Sequence, residues 1–248
     1  SELWRFVAGS GCVDENGECT LRAAIQEVNL GSGPFTIRFI RSMTIDVPAR
    51  RALPAVTRDQ LIISAVEHHR GGEPGVVLRS DGDFAGLRID AADVHLHGLA
   101  FNGFRHALVL GNDAADALVG SDGDGFADER EGLVIAQSGL DGIVFEPRAG
   151  DATVRGNRIE RSGRHGILLW STRSTGNEIT RNAISNNGGA AIAVLPLAPD
   201  APVPHIDVVD RAAGMVSGTA CPGCRLELFA DGADEAAVYL AAVQVPLS

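Results

Sequence analysis

The chain has 248 residues, with 30 glycines, 11 prolines and few aromatics (nine Phe, two Trp, one Tyr), while 45 % falls in the AVILMFWYC set, a globular and turn-rich composition. All 21 basic residues are arginine, so P-loop, Schiff-base and lysine-base chemistries are excluded. A formal charge of −11 repels phosphate backbones and anionic lipid, which excludes nucleic acid as a partner, and no stretch reaches the roughly 20 apolar residues of a membrane span.

In chain order, Ser1 to Phe6 lacks the basic and apolar regions of a signal peptide, which is compatible with a mature form whose signal was removed. Cys12 and Cys19 enclose a short loop, as do Cys221 and Cys224 near the other end. Both pairs read as local disulfides and hence as an oxidising, extracellular setting. Four cysteines allow three pairings, and a redox-active Cys-Pro-Gly-Cys or a zinc half-site are the alternatives. Thr20 is a suitable N-cap for a short helix in which Leu21, Ala24, Ile25 and Val28 make one apolar stripe ending before Gly31.

A repeat then governs the chain. A small residue followed by apolar-any-apolar recurs as Gly86-Leu-Arg-Ile89, Ala107-Leu-Val-Leu110, Gly142-Ile-Val-Phe145, Gly166-Ile-Leu-Leu169 and Ala191-Ile-Ala-Val194, at intervals of 21, 35, 24 and 25 residues. An insertion around Ser121–Arg130 accounts for the long interval. A second short strand is marked by Leu96, Val154 and Ile179, and a third contains Phe101, Ile135, Ile159 and Ile184. Three short strands per repeat, joined by Gly and Asn turns, leave no room for crossover helices but can wind as rungs that bury one face by stacking. The fold class is therefore all-β, a right-handed parallel β-helix. Leu87, Leu108, Ile143, Ile167 and Ile192 are expected to form one inward ladder with Ile89, Leu110, Phe145, Leu169 and Val194 beside it, and Asn157 and Asn182 an asparagine turn ladder. The helix at 21–30 would cover the open apolar end.

The stretch Cys19-Thr-Leu-Arg-Ala-Ala-Ile25 resembles the N-terminal motif of bacterial extracellular β-helix repeat proteins of the CSLREA type, with Thr20 in place of Ser and Ala23 in place of Glu. Val119-Gly-Ser-Asp-Gly-Asp-Gly125 and Gly156-Asn-Arg-Ile159 resemble the repeat coils of the same proteins, except that Leu133 stands where an asparagine is usual. The resemblance implies the β-helix fold and an extracellular setting. It leaves function open, because such proteins include lyases, hydrolases, epimerases and non-catalytic surface modules.

After the coils, Leu195 to Pro204 carries four prolines and should run extended, and strands are expected within Gly214–Phe229 and Ala237–Val245, flanking a turn at Ala230–Glu235. The organisation expected is a cap at 1–34, β-helix coils at 35–195, and at 196–248 a Pro-rich exit followed by a small β cap or the start of a further module.

Aligning the coils puts His106, Asp141 and His165 at one position, with Arg105 and Arg164 before the histidines. Such a column with a cationic flank can bind the carboxylate of an acidic sugar, activate water or take a proton; the plain alternative is a turn ladder bonded up and down the stack. Two rungs separate the histidines by roughly 9–10 Å, too far to share one zinc ion. Asp122, Asp124 and Asp128, with Glu131, resemble a calcium loop, though not an EF-hand, and otherwise form an acidic turn. His95-any-His97 and Glu67-His68-His69 are weak metal signals. The outward row Arg88, Val109, Val144, Leu168 and Ala193, with Trp170 beside it, is apolar where water is expected; it lies under the chain's own residues or contacts a partner or a sugar chain. Self-association through the same strip is a further expectation. The function expected is a secreted or cell-surface module that binds polysaccharide or a surface protein, the alternative being a lyase or hydrolase of an acidic glycan.

Overall fold

Successive rungs place each short strand beside its counterpart one turn along the chain, and three parallel sheets result. The computed structural model describes residues 4–6, 19–170, 174–195, 204–232 and 235–247. The first sheet runs through Phe35–Phe39, Leu61–Ser64, Val94–His97, Leu118–Gly120, Thr153–Arg155 and Glu178–Thr180, with Trp4–Phe6 added antiparallel on Phe35–Phe39. The second runs through Met43–Asp46, Val76–Arg79, Leu99–Asn102, Val134–Ala136, Arg158–Glu160 and Ala183–Ser185. The third comprises Ala85–Ile89, His106–Leu110, Ile143–Phe145, Ile167–Leu169 and Ile192–Val194. Apart from Trp4–Phe6, every pairing in these sheets is parallel, and the molecule is a right-handed parallel β-helix.

The register sets the core. Leu87, Leu108, Ile143, Ile167 and Ile192 align as one ladder, and Ile89, Leu110, Phe145, Leu169 and Val194 as the next. Ile63, Leu96, Val119, Val154 and Ile179 line up in the first sheet, and Ile45, Leu78, Phe101, Ile135, Ile159 and Ile184 in the second. The central members of these ladders are fully buried, whereas Ile192 on the last rung is 43 % exposed. The small residue at the start of the third-sheet strands has a steric reason at Gly142. A Cβ there would lie 2.5 Å from the Gly166 carbonyl oxygen and 2.7 Å from Ile159 Cγ2, so that turn has room for hydrogen alone.

Each end of the column has a covering element, complete at the first coils and partial at the last rung. The helix Leu21–Leu30 starts at Thr20, whose hydroxyl accepts the Ala23 N–H, and buries Leu21, Ala24, Ile25 and Val28. Arg22 donates to the carbonyl of Ala52, and Asn29 donates to Ala55 and accepts from Thr57, fixing the helix over the first coils. At the other end the antiparallel pair Arg225–Ala230 and Val238–Gln244 lies against the last rung. Glu227 accepts from the Thr180 hydroxyl and the Arg181 N–H, Glu235 from the N–H and side-chain amide of Asn187, and Ala236 bridges Ile184. These acceptors stand where a further rung would have supplied them.

The expected strand at 214–229 is divided in two. Met215–Thr219 pairs instead with His205–Asp210, and the loop closed by the Cys221–Cys224 disulfide, with Cα atoms 5.5 Å apart, separates it from Arg225–Ala230. The short loop directs the chain into a new hairpin, which the alternation of apolar residues does not reveal. Cys19 is also disulfide-bonded; Cys12 lies outside the described residues, as does the Pro-rich segment 196–203. Among the described residues no cysteine is free, and Cys221 and Cys224 are bonded to each other.

The asparagine ladder is present. Asn157 Oδ1 accepts the Leu133 N–H at 2.9 Å, and Asn182 Oδ1 accepts the Asn157 N–H at 3.0 Å and its Nδ2–H at 2.9 Å. Their amides donate to Val119 and Val154 carbonyls. Leu133, at the position where an asparagine is missing, is buried in the apolar core and needs only its N–H satisfied. Replacing Asn157 by Ala leaves the buried Leu133 N–H without its partner and takes one donor from the Val119 carbonyl, and a buried orphan costs about 1–3 kcal/mol. Asn157→Ala should therefore lower unfolding free energy by about 1–3 kcal/mol in urea titrations; a loss within the error of the wild type would show that water replaces the amide.

Candidate functional site

Outward side chains of the third sheet face a groove of about 470 Å3. Its floor is Val109, Val144 and Leu168, aligned one above another and nearly dry, a cluster separate from the main core with Ala85 and Ala193 packed at its ends. The outward apolar row thus lies within the protein's own relief, between two walls built from the turns that lead into and out of the strands. Trp170, just beyond the fourth strand, lines one wall and remains 60 % exposed.

The entry-side wall contains Asp83, Phe84, Arg105, His106, Leu140, Asp141 and Arg164. His106 and Asp141 of this wall continue to His165 outside it, and the column His106, Asp141, His165 is a hydrogen-bonded ladder. The Asp141 N–H donates to His106 Nδ1 at 3.4 Å, the His165 N–H to Asp141 Oδ1 at 3.1 Å, and the Ala190 N–H to His165 Nδ1 at 3.0 Å. Each side chain thus accepts the backbone N–H of the next rung, whereas the asparagines in their own turn accept from the preceding one. Asp141 is fully buried, and Arg164 donates to both of its oxygens, at 2.6 and 3.2 Å. The hydrogen bonds to Asp141 hold Arg164 above the ordinary guanidinium range. Arg105 is more loosely held, 3.4 Å from the exposed Asp83.

The exit-side wall was not evident from motifs. Arg88, the one polar member of the outward row, donates through Nη1 and Nη2 to the two oxygens of Glu146, at 2.6 and 2.8 Å, and through Nε to Asp90 at 2.6 Å. The hydrogen bond from Arg88 holds Glu146 below the usual carboxylate range, and Asn112 adds a third donor at 3.2 Å. Arg88 and Glu146 are 58 residues apart, so spacing could not pair them. A lone arginine among Val, Val, Leu and Ala was the available signal, because a charge beside a dry strip requires a partner.

The acidic insertion lies elsewhere. Asp122, Asp124 and Asp128 each bring one oxygen within 4.8 Å of the others, whereas Glu131 is turned to the Asp122 N–H at 3.1 Å. Asp122 and Asp124 also accept the N–H two residues on, the ordinary bonding of an acidic turn. Burial, more than the neighbouring acids, pushes Glu131 upward. On the first sheet His97 Nδ1 lies 2.7 Å from the Gly120 carbonyl and His95 pairs with Asp93, so these rings face each other without a third ligand among the described residues.

A family model described as periplasmic copper-binding protein (NosD) matches residues 98–195, less than half of the chain. That family is one of right-handed parallel β-helices, so the match agrees with the coils seen here. No curated protein and no solved structure matches at a significant level. Copper favours imidazole and sulfur donors. The matched stretch has two histidines, His106 and His165, both with Nδ1 already accepting a backbone N–H, and neither cysteine nor methionine. Among the described residues the group of three convergent ligands is all carboxylate. These residues do not fit a copper site.

A ladder acceptor cannot also carry a proton, which gives His106 a definite pH signature. Burial pushes its pKa below the ordinary imidazole value; Asp141 opposes this, and Arg105 and Arg164 reinforce it. Below about 6.5 the unfolded chain binds a proton that the folded one refuses, so stability falls as pH drops from there through the lower folded value. His69 and His97 are shifted in the same direction, each chiefly by burial. Urea unfolding between neutral and mildly acidic pH should show this loss, with a smaller slope in His106→Asn, whose amide oxygen can keep the bond; an unchanged slope would assign the effect to the other two.

Proposed function

We propose that the protein is a secreted or cell-surface β-helix module that binds polysaccharide along the third-sheet groove and does not transform it. The carrying observation is the dry strip Val109, Val144 and Leu168 beneath an exposed Trp170: an apolar floor with an aromatic ring at its rim suits the C–H faces of a sugar chain. Rungs spaced by about 4.8 Å give the groove a regular, extended form, which suits a repeating ligand. An extracellular or periplasmic setting is supported by the disulfide, by the description of the matching family and by the absence among the described residues of any helix long and apolar enough to cross a membrane.

The geometry favours binding over catalysis. A lyase or hydrolase acting through His106, Asp141 or His165, with Arg105 and Arg164, would need an acid and a base free side by side. Asp141, the one carboxylate of the column, is buried in a two-point ion pair, and both ring Nδ1 atoms accept backbone donors, which leaves only the Nε2 atoms for proton exchange. A second copy or a surface protein seated on the strip are the competing occupants. Binding by calorimetry and on a glycan array should weaken on the order of tenfold in Trp170→Ala, the loss of one aromatic contact, with no unsaturated or hydrolysed product from the wild type. Product formation abolished in Asp141→Ala would replace the binding reading with the enzymatic one, and dimers broken by the Trp170 change would assign the strip to self-association.

The calcium expectation rests on Asp122, Asp124 and Asp128 alone. If the loop takes the ion, millimolar calcium raises Tm and Asp122→Ala with Asp124→Ala removes the rise. A flat response makes the loop an acidic turn held by its own N–H bonds.

A further inference from the structure

We propose that the groove selects uncharged sugar chains over uronate polymers, an inference that rests on the reading of the groove as a glycan site. An acidic glycan needs an arginine with donors to spare, and two of the three groove arginines, Arg88 and Arg164, are already matched internally at close range, while Arg105 keeps only a 3.4 Å contact with an exposed carboxylate. Arg88 uses Nη1, Nη2 and Nε on Glu146 and Asp90; Arg164 uses Nη2 and Nε on Asp141; Arg105 faces Asp83. Three guanidinium groups stand against three carboxylates in the lining, with Asp90 on Arg88 just outside it, so the walls carry no net positive charge before a ligand arrives. A uronate seeking Arg88 or Arg164 would have to break a two-point ion pair and leave a partly or fully buried carboxylate unpaired, and it would approach a molecule of net charge −11. An uncharged sugar meets no such obstacle. Its hydroxyls can donate to the carboxylate oxygens of the walls, its C–H faces can lie on Trp170 and the dry strip, and the polar His106 ring lines the groove beside them, with Nδ1 3.4 Å from both the backbone nitrogen and Oδ2 of Asp141.

The pairing also predicts how the preference can be reversed. Glu146→Gln removes the charge that saturates Arg88, and Asp83→Asn frees Arg105 at an exposed position that tolerates change. The test is calorimetry on the full chain with hexamers of an uncharged glucan, an uncharged mannan, polygalacturonate and alginate, at low salt and at about 0.15 M. The wild type should bind an uncharged hexamer at least about tenfold more tightly than either uronate. Glu146→Gln should gain uronate binding that is weakened by salt, and Asp83→Asn, which removes a solvated carboxylate, should move in the same direction. Tighter uronate binding by the wild type would overturn the selectivity while leaving the glycan reading intact. Binding to no hexamer, with no effect of Trp170→Ala, would overturn the glycan reading and this inference with it. Uncharged binding with no uronate gain in either variant would overturn the saturation argument.

Discussion

The fold depends on one recurring bond: a side-chain oxygen or ring nitrogen in a turn accepts the backbone N–H of the adjacent coil. Strands of three to five residues satisfy their own amides through parallel pairing, but the turns between them bend away from the ladder and would otherwise leave their N–H groups unpaired. Asn157 and Asn182 meet this need in one corner, Asn177 and Asn187 in others, and His106, Asp141 and His165 along the edge of the groove. At the last rung, where no further coil exists among the described residues, Glu227 and Glu235 of the following segment supply the same acceptors. Side chains that look chemically capable in the sequence are thus first of all structural acceptors.

That constraint explains what the sequence disclosed. The intervals of 21, 24 and 25 residues and the period-two alternation within strands were enough to place Leu87, Leu108, Ile143, Ile167 and Ile192 in one ladder, because a one-residue slip would have turned every apolar side chain outward. The helix was legible for the same kind of reason, as Thr20 and the stripe of Leu21, Ala24, Ile25 and Val28 carry both its start and its buried face. Pairings set by the third dimension were not. Nothing local links Arg88 with Glu146, or Glu73 with Arg158, which meet across 85 residues at 2.6 and 2.8 Å. The column of His106, Asp141 and His165 was found by alignment, but whether its atoms were free or bonded depended on where the next rung's N–H groups pointed.

The three faces of the column differ in a way that locates the groove. The outward row of the first sheet, Thr36, Ile62, His95, Leu118, Thr153 and Glu178, mixes polar and apolar residues, and Ile62 is 37 % exposed. The second face reads Thr44, Val77, Ala100, Val134, Arg158 and Ala183, crossed by the Glu73–Arg158 pair. Only the third face has three consecutive branched aliphatic side chains under 9 % exposed, with walls on both sides. Apolar surface on the outside of a solenoid is costly unless covered or used. Here the turns rise beside it and their charges are paired laterally, Arg88 with Glu146 and Arg164 with Asp141, instead of being directed toward the strip. Lateral pairing serves the walls by satisfying partly buried ions and serves the groove by keeping it free of unbalanced charge. A polar but internally neutralised rim over a dry floor distinguishes itself from a site built for anions, in which arginines must reach the floor with their donors unspent.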